Sequence, residues 1–202
     1  MSLNKLKLPS MRLGSSADIQ IRIETDEIVF ALIASISRSA PARVVTQAAH
    51  GLLDGWRASV IDAKGMVAIN DVRPTSVSVV DTTTIDLDGV STLGMSAHTA
   101  DSGALKWYAP KDLSGYTGAR MDLKRAVGAT AVLSLHTDDG TLEIDAASSS
   151  VWIRLPATAL SDAGVPPRDY YFDIELIRAD GVDAICAATS TVTVLPEITT
   201  ST

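Results

Sequence analysis

Strict two-residue alternation, recurring in three widely separated stretches, constrains this chain more than any other feature. Ile19, Ile21 and Ile23 interleave with Gln20, Arg22 and Glu24. Ala119, Met121 and Leu123 interleave with Arg120, Asp122 and Lys124, and Tyr170, Phe172, Ile174 and Leu176 with Tyr171, Asp173 and Glu175. A period of two puts successive side chains on opposite faces of a strand, so each stretch reads as β-strand with one dry and one wet face. Dry faces must be buried against one another, and the expected fold is all-β.

The rest of the chain carries weaker versions of the same signal. Glu27 to Ala34 is almost continuously apolar and reads as a buried strand, although periodicity alone does not separate so short a run from helix. Shorter strand candidates follow at Arg43 to Gln47, Arg57 to Asp62, Ser76 to Asp81 and Thr84 to Asp88. Turn signals separate them at Gly51, Asp54-Gly55, Lys64-Gly65, Pro74 and Asp88-Gly89. Such spacing indicates a small barrel or sandwich. Ser91 to Gly103, rich in Gly, Ser and Thr, reads as a mobile loop. Farther on, Ala131, Leu133 and Leu135 alternate into a hairpin turn at Asp138-Asp139-Gly140, after which Leu142 and Ile144 resume the apolar face. Val151, Ile153 and Leu155 form the next apolar set, with Trp152 and Arg154 opposite. Pro156 to Ala163 has helical composition, ended by Gly164. Ala179-Asp180-Gly181 turns the chain into a last strand from Asp183 to Leu195, and the tail after Glu197 has no core-forming pattern.

With 202 residues, 46% hydrophobic and 20% charged, the chain is long enough for one large or two small domains and is not disordered in bulk. Its net charge of −7 argues against a nucleic-acid partner, whose phosphates call for clustered Lys and Arg. No apolar run reaches membrane-span length, and the first residues lack the order of a secretion signal, so no membrane partner and no export are expected. The single cysteine, Cys186, leaves no internal disulfide and points to assembly in a reducing compartment. Its apolar setting favours an inert thiol over a nucleophile.

The search for chemistry returns little. His50, His98 and His136 are isolated, with no second ligand at metal spacing, and His50 before Gly51 reads as a hydrogen-bonding turn residue. The pairs Asp86 with Asp88 and Asp138 with Asp139 do not continue into a calcium loop and read as turn carboxylates. No nucleophile elbow, phosphate-cradling loop or dinucleotide fingerprint occurs. No catalytic residue, metal or cofactor is therefore assigned, and the chain is expected not to be an enzyme. Lys5, Lys7 and Arg12 form a small basic cluster, read as a solvated arm. Trp152 and Tyr171, on outward faces, are the interface candidates, because exposed rings are enriched at contacts. A satellite cluster under a loop is the plainer reading of both.

Two sets of motifs resemble known modules. Asp112-Leu113-Ser114-Gly115-Tyr116, then Tyr170 to Leu176, then Thr191-Val192-Thr193-Val194-Leu195-Pro196-Glu197-Ile198-Thr199, resemble in order and spacing an Ig-like module of tailed-phage and prophage structural proteins. Arg168-Asp169 stands where that family usually has glycine. Pro41 to Thr46, His50-Gly51-Leu52, Asp54-Gly55, Gly65 to Asn70 and Thr83 to Val90 resemble a small β-barrel frequent in phage tail proteins and similar to the FCCH domain of ubiquitin-activating enzymes. About eighty residues separate the strand at Asp18 to Glu24 from the corner that normally follows it closely. The resemblances thus imply an Ig-like antiparallel β-sandwich from residues 1–29 plus 106–202, with a barrel inserted at 30–105, two consecutive domains being the alternative. They also imply a tail, neck or baseplate component that joins other phage structural proteins and copies of itself, located in the virion and, during assembly, in the host cytoplasm. A carbohydrate-binding or adhesion module is the alternative from another class.

Overall fold

The computed structural model describes residues 8–181, 183–185 and 190–198, and the chain divides into two units, Met1–Glu24 with Pro110–Thr202 and Thr25–Ala109. In chain order the strands are β1 (Met11–Arg12), β2 (Ala17–Arg22), β3 (Glu24–Ile36), β4 (Ala42–Thr46), β5 (Arg57–Ile61), β6 (Thr75–Val79), β7 (Thr84–Leu87) and β8 (Ala104–Pro110). They continue as β9 (Tyr116–Lys124), β10 (Ala131–His136), β11 (Leu142–Asp145), β12 (Ser150–Leu155), β13 (Arg168–Arg178), β14 (Asp183–Ile185) and β15 (Ser190–Leu195).

The first unit is a β-sandwich. One sheet runs β1-β15-β13-β9-β10 with β14 also on β13, and the other runs β11-β12-β2. The pairings are antiparallel except β1 with β15, where Met11 lies opposite Val194 in parallel register. Alternation explains the layering. Met121 and Leu123 sit opposite Ile174 and Phe172, and all four turn inward to meet Ile19, Ile21, Val151 and Ile153 of the other sheet in one buried cluster. Tyr170 is fully buried, which would strand its hydroxyl; that group donates to the Pro166 carbonyl at 2.7 Å instead. At the corner before β9, the Asp112 carboxylate accepts the Ser114 N–H at 2.9 Å, a local turn that leaves Leu113 plugged into the core with no exposure.

The second unit is a closed six-stranded barrel in the order β3-β4-β7-β6-β5-β8. Its core includes Ile33, Val44, Trp56, Val60, Ile85 and Trp107. The Trp56 indole N–H, buried with its ring, donates to the Tyr108 carbonyl at 3.0 Å. A short 3₁₀ helix, Val67–Asp71, drives Ile69 into the same core.

Several expectations need correction. Glu27 to Ala34 does form a strand, within β3, but it is buried on one face only. Val29 and Ala31 pack against the barrel core, whereas Ile28, Phe30 and Leu32 are 40%, 54% and 62% exposed. Ser91 to Gly103 is irregular yet tied down. Thr92 is completely buried, its N–H donates to the Ser39 carbonyl, the Thr99 N–H reaches the Lys64 carbonyl and the Asp101 N–H reaches that of Ala34. Most of its residues are exposed, and Thr92, Thr99 and Asp101 supply the hydrogen bonds that tie it to the barrel strands and loops. The helix after Pro156 shrinks to one turn, α1 (Ala159–Asp162), held by Leu160 in the sandwich core. The expected last strand, Asp183 to Leu195, is described as two, β14 and β15, and residues 186–189, Cys186 among them, lie outside the described set. The units divide at 24/25 and 109/110, against 29/30 and 105/106 in the sequence reading; both sets of limits fall within β3 and β8, and the division lies close to the outer ends of those two strands, so that nearly all of each belongs to the barrel.

Candidate functional site

The two rings singled out by the sequence lie on opposite outer faces of the sandwich, because each neighbours inward-facing residues of a different sheet. They do not form one site. Trp152 on β12 lies opposite Gln20 of β2 and Glu143 of β11, half-buried. The Arg154 guanidinium stands 4.3 Å from its ring centroid, and Arg154 is itself held by Glu143, with its Nε donating at 3.2 Å, and by an ion pair with Asp18. Beside them, hydrogen bonds from Ser148 chiefly, then Ala147 and Trp152, keep the Asp145 carboxyl below the usual range. A sugar stacking on Trp152 would need a ring face, and the guanidinium occupies one.

Tyr171 on β13 sits opposite Lys124 of β9 and Thr191 of β15 and is 40% exposed. With Lys124, Val127, Gly128 and Asp173 it borders a hollow of about 60 Å³. Small-molecule pockets run to roughly 300–1,000 Å³, so this hollow accepts a side-chain tip and not a substrate. Around it the outer face is polar and self-paired: Arg120 with Glu175, Lys124 with Asp122 at 3.2 Å, and Ser134 donating to Asp122 at 2.7 Å. Burial opposes ionisation of Asp122, but those partners outweigh it and its pKa is lowered.

A larger recess of about 380 Å³ opens at the corner that carries Ser114 and Tyr116, bounded also by Thr117, Thr137, Glu143 and Ile144. Its size would suit a ligand, but two of its polar groups are engaged within the sheet: Glu143 accepts from Arg154, and Thr137 Oγ1 accepts the Ala119 N–H at 3.2 Å. Across the Tyr116 ring, Lys111 and Arg178 lie 5.6 Å and 5.7 Å from the centroid.

The remaining candidate groups serve the fold. His50 is buried, its Nδ1 accepting the Leu52 N–H at 2.9 Å and its Nε2–H donating to the Asp81 carbonyl at 3.0 Å. Asp86 takes a two-point bond from Arg43 at 2.8 Å and 2.9 Å, which lowers its pKa, and Asp88 accepts the Ser78 hydroxyl at 2.8 Å. Asp139 accepts the Thr141 N–H at 2.9 Å in the turn between β10 and β11; that turn is not the hairpin expected at Asp138-Asp139-Gly140, because β10 pairs with β9 and β11 with β12, so the chain crosses there from one sheet to the other. Arg12 donates to the Pro196 carbonyl at 2.9 Å, while Lys5 and Lys7 lie outside the described residues. Among the described residues, no three His, Cys, Asp or Glu side chains gather as a metal site, and no helix is long and apolar enough to cross a membrane.

Sequence reasoning missed the outward strip of Ile28, Phe30 and Leu32. An unbroken apolar run looks buried, and nothing within the run marks which of its two faces is left in solvent. These surfaces define a class in physical terms, an all-β protein of a sandwich and a closed barrel. No family model matches the chain, and no curated protein shows significant similarity to it.

Proposed function

We propose that this chain is a non-enzymatic structural component of a tailed-phage or prophage particle, in its tail, neck or baseplate, working through contacts with other phage structural proteins and with copies of itself. One observation carries the reading: the two motif sets fall on two separate folding units. Asp112 to Tyr116 and the closing strand pair belong to the sandwich, whereas His50-Gly51-Leu52 and its companions belong to the barrel. In an unrelated chain, nothing would require the two likenesses to part along that line. A closed barrel and a sandwich with one continuous core supply rigidity, and rigid faces repeated by symmetry build rings and tubes. The virion, and the host cytoplasm during assembly, are the locations this role requires.

Mass spectrometry of density-gradient-purified particles, from cells that carry this gene, tests the proposal. The expected result is the chain at fixed stoichiometry with the other particle proteins. Its retention in the soluble lysate, absent from every particle fraction, would overturn it.

A further inference from the structure

We propose that the recess at the corner before β9 is a binding site for an acidic saccharide, with Lys111 and Arg178 supplying the positive charge for its carboxylate. The inference goes beyond the reading of the chain as a particle component and does not depend on it.

At about 380 Å³ the recess falls within the range of small-molecule sites, and its floor belongs to the sandwich core: Leu113 and Leu142 are buried, and Ile144 is half-buried. A local irregularity shapes one wall. Between β9 and β13, Gly118 stands opposite Ile177 and Tyr116 opposite Arg178, so Thr117 is an extra residue with no partner across the pair. A regular strand turns neighbouring side chains to opposite faces, whereas this bulge lets Tyr116 and Thr117 border the same recess. Neither of their hydroxyls is hydrogen-bonded among the described residues. Thr137 Oγ1 accepts the Ala119 N–H and keeps its own proton to donate, and Glu143 gives Oε2 to Arg154 and keeps Oε1. A pyranose complements both parts of this surface, with carbon-bound hydrogens for the apolar floor and hydroxyls that donate and accept.

Charge narrows the class. The Lys111 ammonium and the Arg178 guanidinium lie 5.6 Å and 5.7 Å from the Tyr116 ring centroid, and among the described residues neither stands in an ion pair. Elsewhere on the sandwich Arg120, Lys124 and Arg154 each hold a carboxylate. Of the acids at this corner, Glu143 is engaged by Arg154 and Asp112 by the Ser114 N–H. Two uncompensated cations at one ring, in a chain of net charge −7, favour a ligand that brings its own negative charge. An inorganic anion would use the cations and leave the hydroxyls and the apolar floor idle. A sugar bearing a carboxylate uses all three.

A glycan array probed with the full chain, followed by isothermal titration calorimetry on the best acidic hit, tests the site. The expected result is binding to glycans that carry uronic or sialic acid, with neutral counterparts at least tenfold weaker. Lys111→Gln and Arg178→Gln should each weaken the acidic hit at least tenfold, and Thr117→Val should weaken it as well. Arg125→Gln, which removes an exposed charge just past the far end of β9, should leave it unchanged. Circular dichroism verifies that the variants fold. No acidic glycan bound at millimolar concentration, neutral glycans bound equally well, or an affinity indifferent to the Lys111 and Arg178 variants overturns the inference. So does potassium phosphate that competes as strongly as the saccharide, since that marks a point for anions and not a sugar site. Each of these failures leaves the particle role standing, and a chain that binds acidic glycans but never enters particles does the reverse.

Discussion

Replacing Thr92 by valine tests why a Gly/Ser/Thr-rich segment is fastened to the barrel. The Thr92 hydroxyl accepts the Ser39 N–H at 3.1 Å and donates to the Ser37 carbonyl at 2.7 Å, with the Ser39 carbonyl a second acceptor at 3.0 Å. Valine keeps the shape and removes the oxygen, leaving the Ser39 N–H and the Ser37 carbonyl without that partner. A dry unsatisfied group costs about 1–3 kcal/mol. Ser37 is exposed and Ser39 half-buried, so water reaches part of the site and the combined cost falls to about 1–3 kcal/mol rather than twice that. Because the segment opens locally, the loss appears as faster exchange at the amides of Thr99 and Asp101, by roughly five- to hundredfold at 1.4 kcal/mol per decade. Hydrogen exchange followed by mass spectrometry or NMR measures it, with Thr92→Ser, which keeps the hydroxyl, much closer to wild type. Wild-type amides that exchange as fast as a free peptide, or valine and wild-type rates that coincide, refute the reasoning.

Gly65→Ala puts a Cβ 2.2 Å from the Ala97 carbonyl oxygen at a φ of +75°, and should cost more than about 2 kcal/mol in urea unfolding. Gly89→Ala, at a φ of +71° with open space around it, should cost only about 1–2 kcal/mol; equal losses would show that the close approach is irrelevant. His50→Ala leaves the buried Leu52 N–H without its partner, while the carbonyl of exposed Asp81 can turn to water, and a fall of about 1–3 kcal/mol by chemical denaturation is expected. The carboxyls of Asp81, Asp86, Asp112 and Asp145 are lowered mainly by hydrogen bonds from Thr83, Arg43, Ser114 and Ser148 respectively. A carboxyl lowered in the folded state adds stability that is present above its unfolded pKa, near 4, and is lost as pH falls through the lower folded value. The urea midpoint should therefore hold from pH 6 to about 5 and drop towards pH 3, and a profile flat down to pH 2 would contradict the assignment.

Where burial follows a simple alternation, sequence and structure agree closely. Tyr170, Phe172, Ile174 and Leu176 turn inward on β13 and Tyr171 stays outside, because a half-buried strand writes its environment directly into its side chains. Legibility failed where that link loosens. Strand β8 escaped notice although Leu105 and Trp107 alternate with Lys106, because Tyr108, Ala109 and Pro110 blur the period next to a polar loop. The pinning of Thr92 depends on Ser37 and Ser39, more than fifty residues earlier in the chain, and no local rule encodes a contact of that range. The alternation in β12 shows which side of the strand Trp152 occupies, but the guanidinium beside its ring comes from a cross-strand network of Asp18, Glu143 and Arg154 that only the register assembles. The half-exposed face of β3 was hidden for the opposite reason: apolar character reports an affinity for burial and not the partner that satisfies it.

Cross-linking mass spectrometry on intact purified particles addresses the central claim, that this protein works by holding surfaces together. Lysine-reactive cross-linking should join Lys106 of the barrel and Lys124 of the sandwich to residues of other particle proteins or of a second copy. Those links should vanish when the particles are dissociated before treatment. Particles in which the chain is present but yields only cross-links within itself would contradict the account.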